Sequence, residues 1–235
     1  MKQLINNKRD VNGILLLDKP KGLSSNAALQ QVKRLYCARK AGHTGSLDPL
    51  ASGMLPICFG KATKMSQQWL NADKIYHVRA QLGIQTTTGD AEGSIVAEKA
   101  VPDLTPKIIE QTLNRFRGEI QQVPPMYSAL KHQGQPLYKL ARRGITIERL
   151  PRAVIIHHLS LLSYENHQLE LQVHCSKGTY IRTLIEDIGE ALHCGAHVVE
   201  LRRLSVGNFS AEQMISLEQL LALGQRFEEL DRYLL

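Results

Sequence analysis

Gly42-His43-Thr44-Gly45-Ser46-Leu47-Asp48-Pro49-Leu50-Ala51-Ser52-Gly53 is the stretch on which the reading of this chain turns. Two glycines ahead of the carboxylate, Gly42 and Gly45, permit tight backbone geometry, and Pro49 restricts the backbone just after it. The punctuation by Gly, Pro and Ser predicts a loop from Gly42 to Gly53 rather than a regular element. An Asp before Pro in such a loop is ordinarily a turn former. The stretch is not a phosphate-cradling Walker loop, because Cys58 stands where a second glycine after Gly53 would be required.

Outward from this loop, the pattern alternates between strands and helices without a regular βα repeat. Gly13–Asp18 is a short apolar run that predicts a buried strand, and Ser24 or Ser25 caps a helix with Ala28, Val32, Leu35 and Tyr36 on one face. Ile75 to Leu82 predicts a strand with Tyr76, Val78, Ala80 and Leu82 on one side. Thr105-Pro106 opens a helix with the stripe Ile109, Thr112, Leu113 and Phe116, closed by Gly118. Leu169, Leu171, Val173 and Cys175 alternate as a strand. Thr179 is read as the cap of a helix carrying Ile181, Leu184, Ile185, Ile188, Ala191 and Leu192. A further strand spans Val198 to Leu204, and Ser216-x-x-Gln219 is a capping box. These elements imply an α+β class, built on a large, mostly antiparallel sheet flanked by helices and loops. One catalytic domain over 1–235 is expected, with a basic excursion at about 124–152 bracketed by prolines and Gly144.

With 235 residues, 43% of them hydrophobic, the chain can bury a sizeable core and is not a disordered composition. The 29 basic residues outnumber the 22 acidic ones, for a net charge of +7. Their placement says more than their sum. From Lys19 to Leu47 the basic residues Lys19, Lys21, Lys33, Arg34, Arg39 and Lys40 meet no acid. From Lys131 to Arg152 six of them (Lys131, Lys139, Arg142, Arg143, Arg149 and Arg152) face only Glu148. Two stretches this poor in acid point to a surface that tracks phosphates. Acids gather elsewhere, as at Glu228, Glu229 and Asp231. Cys37, Cys58, Cys175 and Cys194 lack the spacing of a metal or redox pair, and no apolar opening segment is present. A cytoplasmic protein with reduced, buried thiols is the expectation, with no membrane contact. His193-Cys194-x-x-His197 lacks a second ligand pair, so no metal is expected.

Six motifs in register then define a resemblance. Gly42–Pro56 is similar to the aspartate motif of the TruB family of tRNA pseudouridine synthases. Leu17-Asp18-Lys19-Pro20-x-Gly22 resembles its lysine-proline motif. Lys74-x-Tyr76 and Leu82-Gly83-x-x-Thr86-x-Thr88-x-Asp90 resemble its tyrosine motif. Val123-Pro124-Pro125-x-Tyr127-Ser128-Ala129, Ser176–Arg182 and Leu201-Arg202-Arg203-Leu204 complete the set. Ser46 stands where the family usually has Thr, and Thr87 where it commonly has an acid. The chain stops at Leu235, so the small C-terminal RNA-binding domain of many relatives is expected to be absent, weakening tRNA binding more than chemistry.

The resemblance implies conversion of uridine 55 in the T-loop of tRNA to pseudouridine by a stand-alone, monomeric enzyme without cofactor. Asp48 is then the reacting carboxylate, either attacking ribose C1′ or removing the C2′ proton. Arg182 pairs with it, and Tyr76 stacks on the uracil. Tyr180 and Leu201 line the base pocket, Lys19 supports the loops, and Asp90 makes a polar contact nearby. His43 fills the space that the flipped uridine leaves. The basic residues from Lys131 to Arg152 clamp RNA backbone. Two other readings remain: an RNA-binding or tRNA-folding module without catalysis, and a glycoside-cleaving enzyme with Asp90 or Glu186 as its second carboxyl group.

Overall fold

The structure, a computed structural model, describes residues 8–235. In chain order its elements are β1 (Gly13–Lys19), α1 (Ser25–Leu35), β2 (Ala41–His43), β3 (Ser52–Phe59), α2 (Ser66–Asn71), β4 (Lys74–Leu82), β5 (Ile84–Thr86), β6 (Ile95–Glu98) and α3 (Pro106–Asn114). After these come β7 (Gly118–Gln122), β8 (Lys131–His132), β9 (Gln135–Pro136), α4 (Leu137–Ala141), β10 (Arg152–Glu165), β11 (Gln168–Cys175), α5 (Ile181–Ala191), β12 (Ala196–Val206), β13 (Ile215–Ser216), α6 (Leu217–Leu223) and α7 (Phe227–Asp231). The described residues form two compact units: those through Tyr76 together with Leu201–Leu235, and His77–Glu200.

In the first unit the strand order is β13-β1-β3-β12, with β2 also on β3. β1 and β3 are antiparallel, and the two neighbouring pairs, β1 with β13 and β3 with β12, are parallel. The central residues of β1, Leu15, Leu16 and Leu17, are all buried, as in a strand covered on both faces. Ser24 caps α1 by accepting from the Ala27 amide, and the helix seats Ala28, Leu29, Val32 and Leu35 against Leu55, Ile57 and Phe59. Tyr36, just past the helix, is fully buried, and its hydroxyl donates to the Leu230 carbonyl at 2.7 Å. The capping box on Ser216 and Gln219 is formed in both directions.

The second unit has the strand order β4-β11-β10-β7, in which β11, β10 and β7 pair antiparallel, with α3 packed on β10 and α5 against α3. Every second residue of β4 and of β11 is buried, in the phase that their alternation predicts. Thr105 caps α3 through the Ile108 amide.

Several expectations need correction. Both ends of the Gly42–Gly53 stretch are strand, because Gly42 and His43 pair with Cys58 and Ile57 and Gly53 pairs with Lys19, leaving only 44–51 as loop. α3 stops at Asn114, and Gly118 opens β7 at φ +85° instead of ending the helix. The cap position of α5 is Tyr180; the Thr179 hydroxyl donates to the Ser176 carbonyl and so turns away from the helix. β10, the longest strand, is not evident along the chain because a bulge near His157 and exposed Ile155 and Leu162 break its alternation. Cys37 is half-exposed, unlike the three buried cysteines.

The close passage of β12 beside β3 generates a stability prediction. Gly53 has φ +96°, and a Cβ there would lie 2.2 Å from the Arg203 carbonyl oxygen. Gly53→Ala should destabilise by about 3 kcal/mol or more. Gly118→Ala, at a similar φ but with open space around it, should cost only about 1–2 kcal/mol. Urea denaturation midpoints of the two variants would check this.

Candidate active site

Asp48 is half-buried on the 44–51 loop of the first unit, and that loop is anchored on several sides. Ser25, at the start of α1, donates its hydroxyl to the Leu47 carbonyl at 2.9 Å and accepts from the Leu47 amide at 2.7 Å. The Pro49 carbonyl accepts from the Gly22 amide at 2.8 Å, and the Ala51 amide donates to the Asp48 carbonyl at 3.1 Å. Leu47, Leu50 and Ala51 are buried beneath. Each bond fixes Asp48 or a residue next to it, so the loop resists rotation about the carboxylate.

Lys19 acts one step behind. It is fully buried, and its Nζ donates to the carbonyls of Pro20 and Leu23 at 2.9 and 2.6 Å. Those bonds close the turn whose Gly22, at φ +88°, presents its amide to Pro49. Lys19 therefore does not belong to the phosphate-tracking surface that its place in a basic run suggested. Within that run Arg39 bonds Asp10 at 3.1 Å.

His43 ends β2. Burial first, and then the charge of Arg203, hold its imidazole below the usual histidine value, and its buried Nδ1 has no hydrogen-bond partner. Tyr76 on β4 and Leu201 on β12 are buried, at 9% and 8% exposure, and so leave only a sliver of ring or methyl accessible.

Arg182, Tyr180 and Asp90 lie in the second unit. Arg182 is buried near the start of α5. Its guanidinium donates to the carbonyls of Thr88 and Tyr127, each at 2.7 Å, with Nε 3.7 Å from the Asp90 carboxylate. It thus joins the Thr86–Asp90 turn to the proline-rich loop after β7. Asp90 accepts from the Thr88 hydroxyl at 2.6 Å and the Glu92 amide at 3.1 Å. Tyr180 exchanges two main-chain bonds with the side chain of buried Gln122. Arg182 and Asp90 come together here; Asp48, Lys19, His43, Tyr76 and Leu201 belong to the first unit.

Of the basic excursion, Lys131, Lys139, Arg142, Arg143 and Arg152 are placed toward solvent. Arg142 lies over the Tyr138 ring, and Leu137 and Leu140 of α4 are buried. Arg149 departs from this set. It is half-buried, has an unpartnered Nε, and lines a cavity of about 480 Å³ with Thr88, Pro125, Tyr127, Thr183 and Glu186.

Two residues were missed by sequence reasoning in their present roles. Arg203 is the first, although it shares a strand face with Leu201, and that alternation alone directs it inward. Glu186 is the second. Its carboxyl group packs against the bare Cα of Gly89, and burial pushes it up to about 7, with Asp187 and Asp90 adding to the rise and Arg182 opposing it.

Residues 33–181 match the family described as TruB family pseudouridylate synthase (N terminal domain), and residues 182–235 match the tRNA pseudouridylate synthase B C-terminal domain. The chain belongs to the TruB family of pseudouridylate synthases. The tRNA pseudouridine synthase B of Coxiella burnetii (strain Dugway 5J108-111) is 60% identical over 230 residues, 97% of this chain and 74% of that protein. The protein of the same name from Yersinia pestis (strain Pestoides F) is 59% identical over 215 residues, 92% of this chain and 66% of that protein. Among solved structures, a Cbf5-Nop10-Gar1 complex superposes with a TM-score of 0.71 at 34% identity, covering 89% of this chain and 54% of that one. An H/ACA RNP bound to a substrate RNA containing 2′-deoxyuridine gives 0.67 at 31%, with 89% and 52% covered. This chain spans about half the length of those two chains. The fold is the pseudouridine synthase fold that the resemblance implied, and the family acts on RNA.

The position of Glu186 sets a pH dependence. Between 4.5, its ordinary value, and about 7, the folded chain binds this proton more tightly than the unfolded chain, so stability falls as pH rises through that window. Glu186→Gln abolishes this proton uptake. Its urea midpoint should exceed that of the native chain above pH 7, and the gap should close as pH falls toward 4.5.

Proposed function

We propose that this chain is a tRNA pseudouridine synthase that isomerises uridine 55 in the T-loop. The observation that carries this reading is the placement of Asp48, a half-buried carboxylate on a loop whose neighbours on both sides are hydrogen-bonded in place. Support comes also from relatives named tRNA pseudouridine synthase B at about 60% identity over most of the chain.

The reaction breaks the bond between ribose C1′ and N1, turns the uracil, and forms a new bond from C1′ to C5; the C5 proton goes to solvent and the freed N1 takes up a proton in its place. Asp48 either attacks C1′, displacing the base, or removes the C2′ proton to leave a glycal; both routes return the carboxylate unchanged. Arg182 is the cation of the reaction and Tyr76 its stacking platform, with Tyr180 and Leu201 bounding the base and Asp90 setting the pose of Arg182. His43, kept neutral, takes the place of the extruded nucleotide, which offsets part of the few kcal/mol of unstacking. The solvent-facing cations from Lys131 to Arg152 hold the RNA backbone.

A monomer without metal or cofactor, working in the cytoplasm, belongs to the same reading. Four cysteines present as thiols are in keeping with that setting, and no described helix is long and apolar enough to cross a membrane.

A T-loop hairpin carrying C5-tritiated uridine tests the proposal. The native chain should release tritium to water. Asp48→Asn should release none while binding the hairpin within about threefold of the native affinity. Hairpin binding by the native chain without release would favour the folding module, and free uracil as product would favour a glycosidase. Replacing Arg142 and Arg143 together with Ala should lower affinity and flatten the dependence of log K on log salt by about 1–2 units.

A further inference from the structure

Arg203 has the largest fully buried side chain in the described structure, at 1% exposure, and it is a charge. It enters from β12, where it is in parallel register with Gly53. Its Nε donates to the Met54 carbonyl at 2.7 Å and its Nη2 to the Gly45 carbonyl at 3.1 Å. Gly45 lies in the 44–51 loop that carries Asp48, and Met54 lies in β3 just beyond its far end. Gly45, at φ +93°, brings its backbone against the guanidinium: a Cβ there would lie 3.7 Å from Nη1.

We propose that Arg203 is a positioning residue for the reaction: its buried guanidinium ties the 44–51 loop at Gly45 to β3 at Met54 and sets where the Asp48 carboxylate stands. The inference rests on the reading of Asp48 given above. A flat, rigid fork fixes the separation of the two carbonyls it holds, which neither a flexible ammonium nor an apolar side chain does. If the position served packing alone, an apolar residue of equal volume would fill it at no loss, since well-packed apolar replacements of buried charges are often neutral or stabilising. The same guanidinium is the charge that opposes protonation of His43, behind burial. One side chain therefore acts on His43 in β2 and on the loop that carries Asp48.

The test uses Arg203→Lys and Arg203→Met in the full chain, with the tritiated T-loop hairpin as substrate. Thermal melting reports the fold, kcat and KM report function, and NMR of ring-labelled His43 reports its titration. Arg203→Lys should stay folded, keep KM within about threefold, and lose about 100-fold in kcat, the effect expected of a carboxylate misplaced by an ångström. Arg203→Met should lose at least as much, and His43 should titrate closer to 6.5 than in the native chain.

Native-like kcat in either folded variant, a loss confined to KM, or an unmoved His43 titration in a folded Arg203→Met would overturn the proposal. Unfolding of both variants would assign Arg203 to the fold alone and overturn it equally; if only the Met variant unfolds, the Lys variant decides. Full activity in Asp48→Asn would remove the reading of Asp48 and this inference with it. An inactive Asp48→Asn beside an undiminished Arg203→Lys would remove the inference alone.

Discussion

A positive charge taken out of water must have its N–H groups hydrogen-bonded, or the fold loses several kcal/mol. This protein meets that demand repeatedly with main-chain carbonyls. Arg203 bonds Gly45 and Met54, Arg182 bonds Thr88 and Tyr127, and Lys19 bonds Pro20 and Leu23. Lys74 bonds Trp69, Leu70 and Ala72. All four side chains are less than a tenth exposed. The carbonyls so held lie in turns and loops, at the end of α2 and in β3, so each cation ties irregular backbone to the regular element beside it.

The consequence is rigidity where regular structure runs out. The 44–51 loop, the Lys19–Leu23 turn, the Thr86–Asp90 turn and the proline-rich loop after β7 are irregular, yet each is held to a strand or helix by a cation within its unit. Chemistry that depends on near-attack geometry needs that stiffness. Helix and sheet provide the frame, and the buried cations extend it into the loops where the functional side chains sit.

The basic excess of the chain thus divides into two populations. Lys19, Lys74, Arg182 and Arg203 are internal fasteners and contribute nothing to a phosphate-binding surface. Lys131, Lys139, Arg142, Arg143 and Arg152 face solvent on an excursion with only short elements of its own, where charge is available to a polyanion. Composition cannot separate the two groups, since a net charge of +7 counts both alike.

Much of this was legible along the chain because it depends on near neighbours. Alternation placed β4 and β11, the Ser24 and Thr105 caps placed α1 and α3, and the motif order placed the family. Local patterns failed where backbone partners lie far away in sequence. The ends of the Gly42–Gly53 stretch read as loop but are strand, because Gly42 finds Cys58 and Gly53 finds Lys19. The cap of α5 fell one residue later than Thr179, whose hydroxyl turned back to Ser176. Its place in a basic run made Lys19 read as surface charge, where the family resemblance implied loop support, and Arg203 gave no sign of its carbonyl partners, one of which lies 158 residues earlier. Sequence by itself determined which residues prefer helix, strand or turn, since those preferences are set within a few residues. Only the tertiary structure decided which charges are buried and which loops they hold, because burial depends on what the rest of the chain brings alongside.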